Sequence, residues 1–192
     1  MDEKLSTSQS SDEQVRPFAS KEVDSIREEL LGESPRASVL VGVAWLDSTL
    51  RDLLALALYP EDELREVFLA PLRTLGQRID AAYSLGFLAG SERAIFHVLS
   101  RLRNSFAHRT SVSFSDGDVQ LLMSQLQPYA AALPLTRDYR TYEPRDMFVL
   151  FIAFYVAGLS AKIKHAKEIE DLATRLDMFR FVAKKTDEAH GK

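Results

Sequence analysis

The chain has 192 residues, no cysteine and a formal net charge of -4. Disulfides, thiolate nucleophiles and cysteine-ligated zinc or iron–sulfur sites are thereby excluded, and a generally basic nucleic-acid coat is disfavoured, although a local basic patch can hide inside an acidic total. Hydrophobic residues make up 46%, enough for the core of one domain, while 8 Gly and 7 Pro are too few for a collagen-like or proline-rich chain.

Residues 1–17 are polar and Ser-rich and offer nothing to pack, so a flexible tail is expected there. They lack the apolar centre of a signal peptide, and a cytoplasmic protein follows as the expectation. Residues 1–33 hold nine acids against four bases, the opposite sign to a DNA-reading arm. A first helix is predicted after Ser20 from the spacing of Val23, Ile26, Leu30 and Leu31, with Gly32 as its stop.

A second helix has a clear start, with Ser34 as cap and Pro35 at the first helical position. Its broad apolar face (Leu40, Val43, Ala44, Leu50, Leu54, Ala57, Leu58) marks a long central helix. Asp47 interrupts that helix one turn from Arg51. An i,i+4 ion pair at the surface is the expected reading, and a buried Asp47 the functional one.

Pro60 opens a short helix over Glu61–Leu69, and Pro71 breaks it. The next helix carries Leu72, Leu75, Ile79, Ala82, Tyr83 and Phe87, ending near Gly90, with Ser91 as a cap for its successor. The successor bears Ile95, Val98, Leu99, Leu102 and Phe106 and stops around Ala107–Arg109. Ser115 then caps a helix with Asp118 at the capping-box position. Residues 128–144 read as a long irregular loop with Tyr129, Tyr139 and Tyr142, suited either to contact a partner or to pack onto the bundle.

The longest apolar run, Met147 to Leu159, is 13 residues, against about 20 for a membrane span, so a buried central helix is expected, from Arg145 to about Lys162. Gly158 is its soft point, a close contact or a break. A last helix shows Ile169, Leu172, Leu176, Phe179 and Ala183 in a stripe, with Asp171 and Arg175 able to pair outside it. No segment alternates like a strand. The expected fold is all-α, a single-domain bundle of about seven helices over 18–185, with flexible ends at 1–17 and 186–192.

Phosphate-loop, dinucleotide, HExxH and GxSxG motifs are absent. The four histidines (His97, His108, His165, His190) lack zinc spacing, and the Glu-x-x-His pairs of di-metal bundles do not occur, so no metal and no cofactor are expected. His97 reads as a boundary residue and His165 as part of a solvated basic face. One stretch stands out: no acid lies between Arg93 and Ser115, while Arg93, Arg101, Arg103 and Arg109 do.

Within that stretch lie Arg103, Asn104 and His108. An Arg holds phosphate bidentately, a His moves a proton near neutral pH, and an Asn orients either. Together they can support metal-independent RNA cleavage by in-line attack of the 2'-hydroxyl. Arg103 and His108 sit roughly 140° apart on an ideal helix. They meet only if the helix end bends or a second subunit supplies the facing group. The plainer reading is structural: His108 caps its helix, Asn104 bonds a neighbouring loop, and Arg103 is solvated or paired.

The chain resembles the mannitol operon repressor family. The likeness rests on Val39–Leu58, Ala70-Pro71-Leu72, Ile79–Gly86, Leu102–His108, Phe114-Ser115-Asp116 and Leu159–Ile163, and covers about residues 34–165. It implies an all-helical transcription regulator without a DNA-reading module, acting through a protein partner, and a homodimer is expected. The Arg-Asn-x-x-x-His pattern also resembles the higher eukaryote and prokaryote nucleotide-binding domain. That second likeness implies a ribonuclease alternative in which Arg103, Asn104 and His108 act on RNA across a dimer seam.

Overall fold

The computed structural model describes residues 21–56, 67–131, 133, 135 and 138–190, with side chains through Ile169. Among them are seven α-helices and one 3-10 turn, and no strand, in agreement with the all-α expectation. The helices are α1 (Lys21–Gly32), α2 (Pro35–Leu56), α3 (Leu75–Ser84), α4 (Gly90–His108), α5 (Gly117–Ser124), α6 (Gln127–Ala130) and α7 (Pro144–His190), with the 3-10 turn at Tyr139–Thr141. The expected tail at 1–17, most of the helix expected over Glu61–Leu69 and the final two residues lie outside the described residues.

Local chemistry accounts for several boundaries. The Ser34 hydroxyl accepts from the Ala37 amide at 3.2 Å, as a cap should. α3 opens on Thr74, whose hydroxyl accepts from the Gln77 amide while the Gln77 side chain accepts from the Thr74 amide. It closes earlier than the expected Gly90. Gly86 adopts φ +78°, and the Phe87 amide reaches back to Ala82 O at 2.9 Å, a glycine-centred stop that a β-carbon would strain. α4 starts at Gly90 without a capping side chain. The Glu92 carboxylate accepts from the Ala89 amide at 2.8 Å, so Ser91 lies inside the first turn rather than before it. At α5 the N-cap is Asp116, not Ser115, whose hydroxyl is held at 2.5 Å by Ser113.

The largest departure is at the end of the chain. The two helices expected there are one, Pro144–His190. Gly158 neither breaks it nor makes a close contact, because a β-carbon there would meet nothing within 4 Å. The Asp171 and Arg175 side chains lie outside those described. The stretch Pro144–Ile169 is long and apolar enough to cross a membrane by length and composition. In this fold Phe148, Val149, Phe151, Ile152 and Leu159 are instead buried in the same core as α2 and α4.

α2 packs against α1 and α7, and also against α3 and α4, which pack on each other. Gly42 is where α2 approaches α7: a β-carbon there would lie 3.1 Å from Ile152 Cγ2 and 3.3 Å from Leu30 Cδ1. Aromatic rings tie the later segments in. Phe114 lies 5.0 Å from Phe106 and 5.9 Å from Phe148, ring centre to ring centre, which seats the α4–α5 connection on the core. Tyr129, Tyr139 and Tyr142 are half-buried against that core, so they pack their loop onto the bundle.

Two arginines close helix ends from a distance. Arg36, in the first turn of α2, donates to Arg109 O at 2.7 Å and Ala107 O at 3.2 Å, at the C-terminus of α4. Arg145, in the first turn of α7, donates to Leu31 O at 3.0 Å and also to Glu33 O, at the C-terminus of α1. Each satisfies carbonyls that a helix cannot satisfy for itself and places a cation at the negative end of its dipole.

Candidate functional site

α4 carries the expected trio on its exposed side, since Leu102 and Phe106 take its buried face. Arg103, Asn104 and His108 are all exposed. Arg103 Nη1 donates to Asn104 Oδ1 at 3.1 Å. Arg103 and Asn104 line a groove of about 530 Å³ whose other walls are Leu40, Val43, Ala44 and Asp47 of α2 and the segment Arg73–Gly76 with Arg78. His108 is not among the groove's lining residues, so a single chain does not bring all three groups to one cavity. Nor does His108 cap its own helix. Arg36 occupies that role, which no local signal in the sequence announces.

A second cavity of about 410 Å³ adjoins the groove and shares Ala44, Asp47, Arg73 and Arg78 with it. The shared floor is an ion pair. Arg78 Nε lies 2.6 Å from Asp47 Oδ1 and Arg78 Nη2 lies 2.7 Å from Oδ2, side-on, while Arg78 Nη1 donates to Leu72 O. The side chains are 31% exposed for Asp47 and 16% for Arg78. Asp47 is therefore paired with a residue of another helix, which the spacing to Arg51 did not announce. Arg78 can engage both carboxylate oxygens and a loop carbonyl in one plane.

The acid-free run of α4 does not become a basic platform. Arg93 is paired with Asp80 at 2.7 Å and lies over the Tyr83 ring at 5.2 Å. Arg109 binds Asp116 at 2.8 Å and Asp118 at 2.6 Å. Arg101 donates to the neutral Gln125 amide oxygen at 2.6 Å. Among the described residues Arg103 has no partner beyond its own neighbour Asn104. For Arg93 and Arg109, folding supplies the acids that the run lacks.

The ion pairs also shift titration. The Arg93 hydrogen bond, and then that of His97, hold the Asp80 carboxyl below the ordinary value of 3.8. Arg109 does the same to Asp118. His97 Nε2 lies 3.1 Å from Asp80 Oδ1, which fits its reading as a boundary residue. Burial pushes the Tyr155 hydroxyl up to about 12, in a cluster where its ring stands edge-on to Phe96 at 5.2 Å. Among the described residues no three His, Cys, Asp or Glu side chains are placed to hold a metal ion.

Three comparisons place this geometry among known proteins. No family model matches the chain. No curated protein matches it. Among solved structures, a chain of the X-ray structure of the MtlR–HPr complex from Escherichia coli matches with a TM-score of 0.55 and 19% identity, over 72% of this chain and 98% of that one. The two share a fold. At that identity the likeness speaks for architecture alone. The matched share of the chain agrees with the extent of the resemblance drawn from residues 34–165.

Proposed function

We propose that this protein is a non-catalytic transcription regulator of the mannitol operon repressor type, cytoplasmic and homodimeric, that works through a protein partner. The observation that carries the reading is the shared fold with a chain of a complex containing HPr, over nearly the whole of that chain. Charge supports a protein partner over DNA. Two of the four arginines of the acid-free run, Arg93 and Arg109, are committed to acids of the same chain, and the total charge is -4.

The test is calorimetric titration of the purified full chain with the HPr of its own cell, beside gel-shift with the promoter region of its operon. A stoichiometric complex with HPr and no sequence-specific DNA retention are expected. Specific DNA binding by the chain alone, with no HPr complex, would refute the reading.

One observation keeps a second reading in view. Arg103 has no acid partner, Asn104 adjoins it, and the His108 ring is exposed near the end of the same helix. In a metal-independent ribonuclease the missing proximity comes from His108 of a second copy. RNA cleavage that persists in excess EDTA and disappears in folded Arg103→Ala and His108→Ala variants is the result that would select it. The regulator reading expects no cleavage.

A further inference from the structure

We infer that the groove between α2, α3 and α4 is a binding site for a small organic phosphate ester, with Arg73 and Arg103 as the phosphate-holding groups. The inference stands on the groove itself and holds whether or not the chain binds HPr.

Charge is the first argument. Asp47, the groove's carboxylate, is neutralised side-on by Arg78. Arg73 and Arg103 then set the field of the cavity. Both are exposed, and neither has an acidic partner among the described residues, whereas Arg93 and Arg109 are paired with acids and Arg101 bonds the Gln125 amide away from the groove. Two guanidiniums that line one concave space, with no acid partner among the described residues, repel each other. An anion with several acceptor oxygens relieves that repulsion and takes bidentate hydrogen bonds from each.

The donor set is the second argument. Arg103 donates to Asn104 Oδ1, which leaves the amide nitrogen of Asn104 as an additional donor without a partner among the described residues. The carboxylate that would repel an anion is screened by Arg78, whose third nitrogen is tied to the Leu72 carbonyl and so holds the floor in place. Size and polarity supply the third. About 530 Å³ lies within the range of small-molecule sites, and Leu40, Val43 and Leu75 give the groove an apolar part beside its arginines. A bare phosphate would leave that apolar part wet, whereas an ester with an apolar or ring-bearing group covers it.

The experiment is calorimetric titration of the full chain with phenyl phosphate as probe, with phenol, inorganic phosphate and a short single-stranded RNA as parallel arms. Saturable phenyl phosphate binding is expected, weaker binding of inorganic phosphate, and none of phenol. Arg73→Gln and Arg103→Gln should each weaken phenyl phosphate about tenfold or more. Lys164→Gln, which removes the same charge from an 80% exposed side chain elsewhere, should leave it unchanged. Both groove arginines are exposed, so both variants should keep the wild-type unfolding midpoint. Arg103→Lys gives a second handle, retaining charge without the bidentate fork and binding more weakly than wild type. The inference is overturned by absence of saturable phenyl phosphate binding, by equal loss in Lys164→Gln, or by equal affinity for inorganic phosphate. RNA binding that depends on Arg73 and Arg103 while phenyl phosphate fails to bind overturns it too, in favour of a polymer phosphate.

Discussion

The carboxylate of Asp47 meets the guanidinium of Arg78 side-on, with Nε to Oδ1 at 2.6 Å and Nη2 to Oδ2 at 2.7 Å, across 31 residues of chain. The pair joins α2 to α3 and forms the floor shared by two adjoining cavities. Because Arg78 also holds the Leu72 carbonyl, the two partners are not equivalent. Arg78→Ala should cost about 2 kcal/mol and Asp47→Ala about 1, given partial solvent screening of the pair. Urea unfolding of both single variants and the double variant measures this. Equal losses in the two single variants would show that the Leu72 bond contributes nothing.

The long-range caps give a second expectation. Arg36→Ala leaves the carbonyls of Ala107 and Arg109 to water and should cost about 1 kcal/mol. Hydrogen exchange should speed most at the end of α4, and Arg36→Lys should restore only part of the protection, because one ammonium cannot reach both carbonyls in a fixed plane. Uniform exchange across all helices would contradict a local capping role.

Two glycines in long helices should respond with opposite sign. Gly158→Ala gains helix propensity and meets nothing, so a stabilisation of about 0.5–1 kcal/mol is expected. Gly42→Ala gains the same propensity but presses on Ile152 and Leu30, both fully buried, at 3.1–3.3 Å. Overpacking of this kind costs about 1–3 kcal/mol and outweighs the gain. Thermal unfolding of the pair decides it, and a raised midpoint in Gly42→Ala would mean that the α2–α7 contact yields.

The Asp80 carboxyl should titrate below 3.8, because Arg93 and His97 bond its charged form. A depressed folded-state value means that the contribution to stability is present above the unfolded-state value and is lost as pH falls through the folded one. The effect therefore belongs to acid pH, below about 4, and leaves neutral pH flat. Carboxyl carbon shifts followed by NMR should show the depressed midpoint and its rise in Arg93→Gln. An unchanged midpoint in that variant would remove Arg93 as the cause.

Local signals in the sequence were sufficient for much of the fold. Ser34 and Pro35 mark the start of α2 and Gly32 the end of α1, because capping and helix-breaking act within a turn. The buried face of α4 follows from apolar spacing, whereas on α2 the buried side turns to Val39, Leu46 and Leu53 and leaves the expected Ala44 exposed. The junction before Ile169 was misread. Its polar run Lys162–Lys167 looks like a connection but is a helix surface beyond the core, where polarity and helicity coexist.

The sequence by itself determined the helical class, the long apolar helices and the exposed polar face of α4 that bears Arg103, Asn104 and His108. Periodicity and caps are properties of neighbours along the chain. Only the tertiary structure decided that Asp47 belongs to Arg78, that Arg36 closes the end of α4, and that Arg103 and Asn104 share a groove with Arg73 from which His108 is absent. Those pairings depend on how helices rotate and slide against one another, which is set by core packing. No spacing of residues along one helix records it.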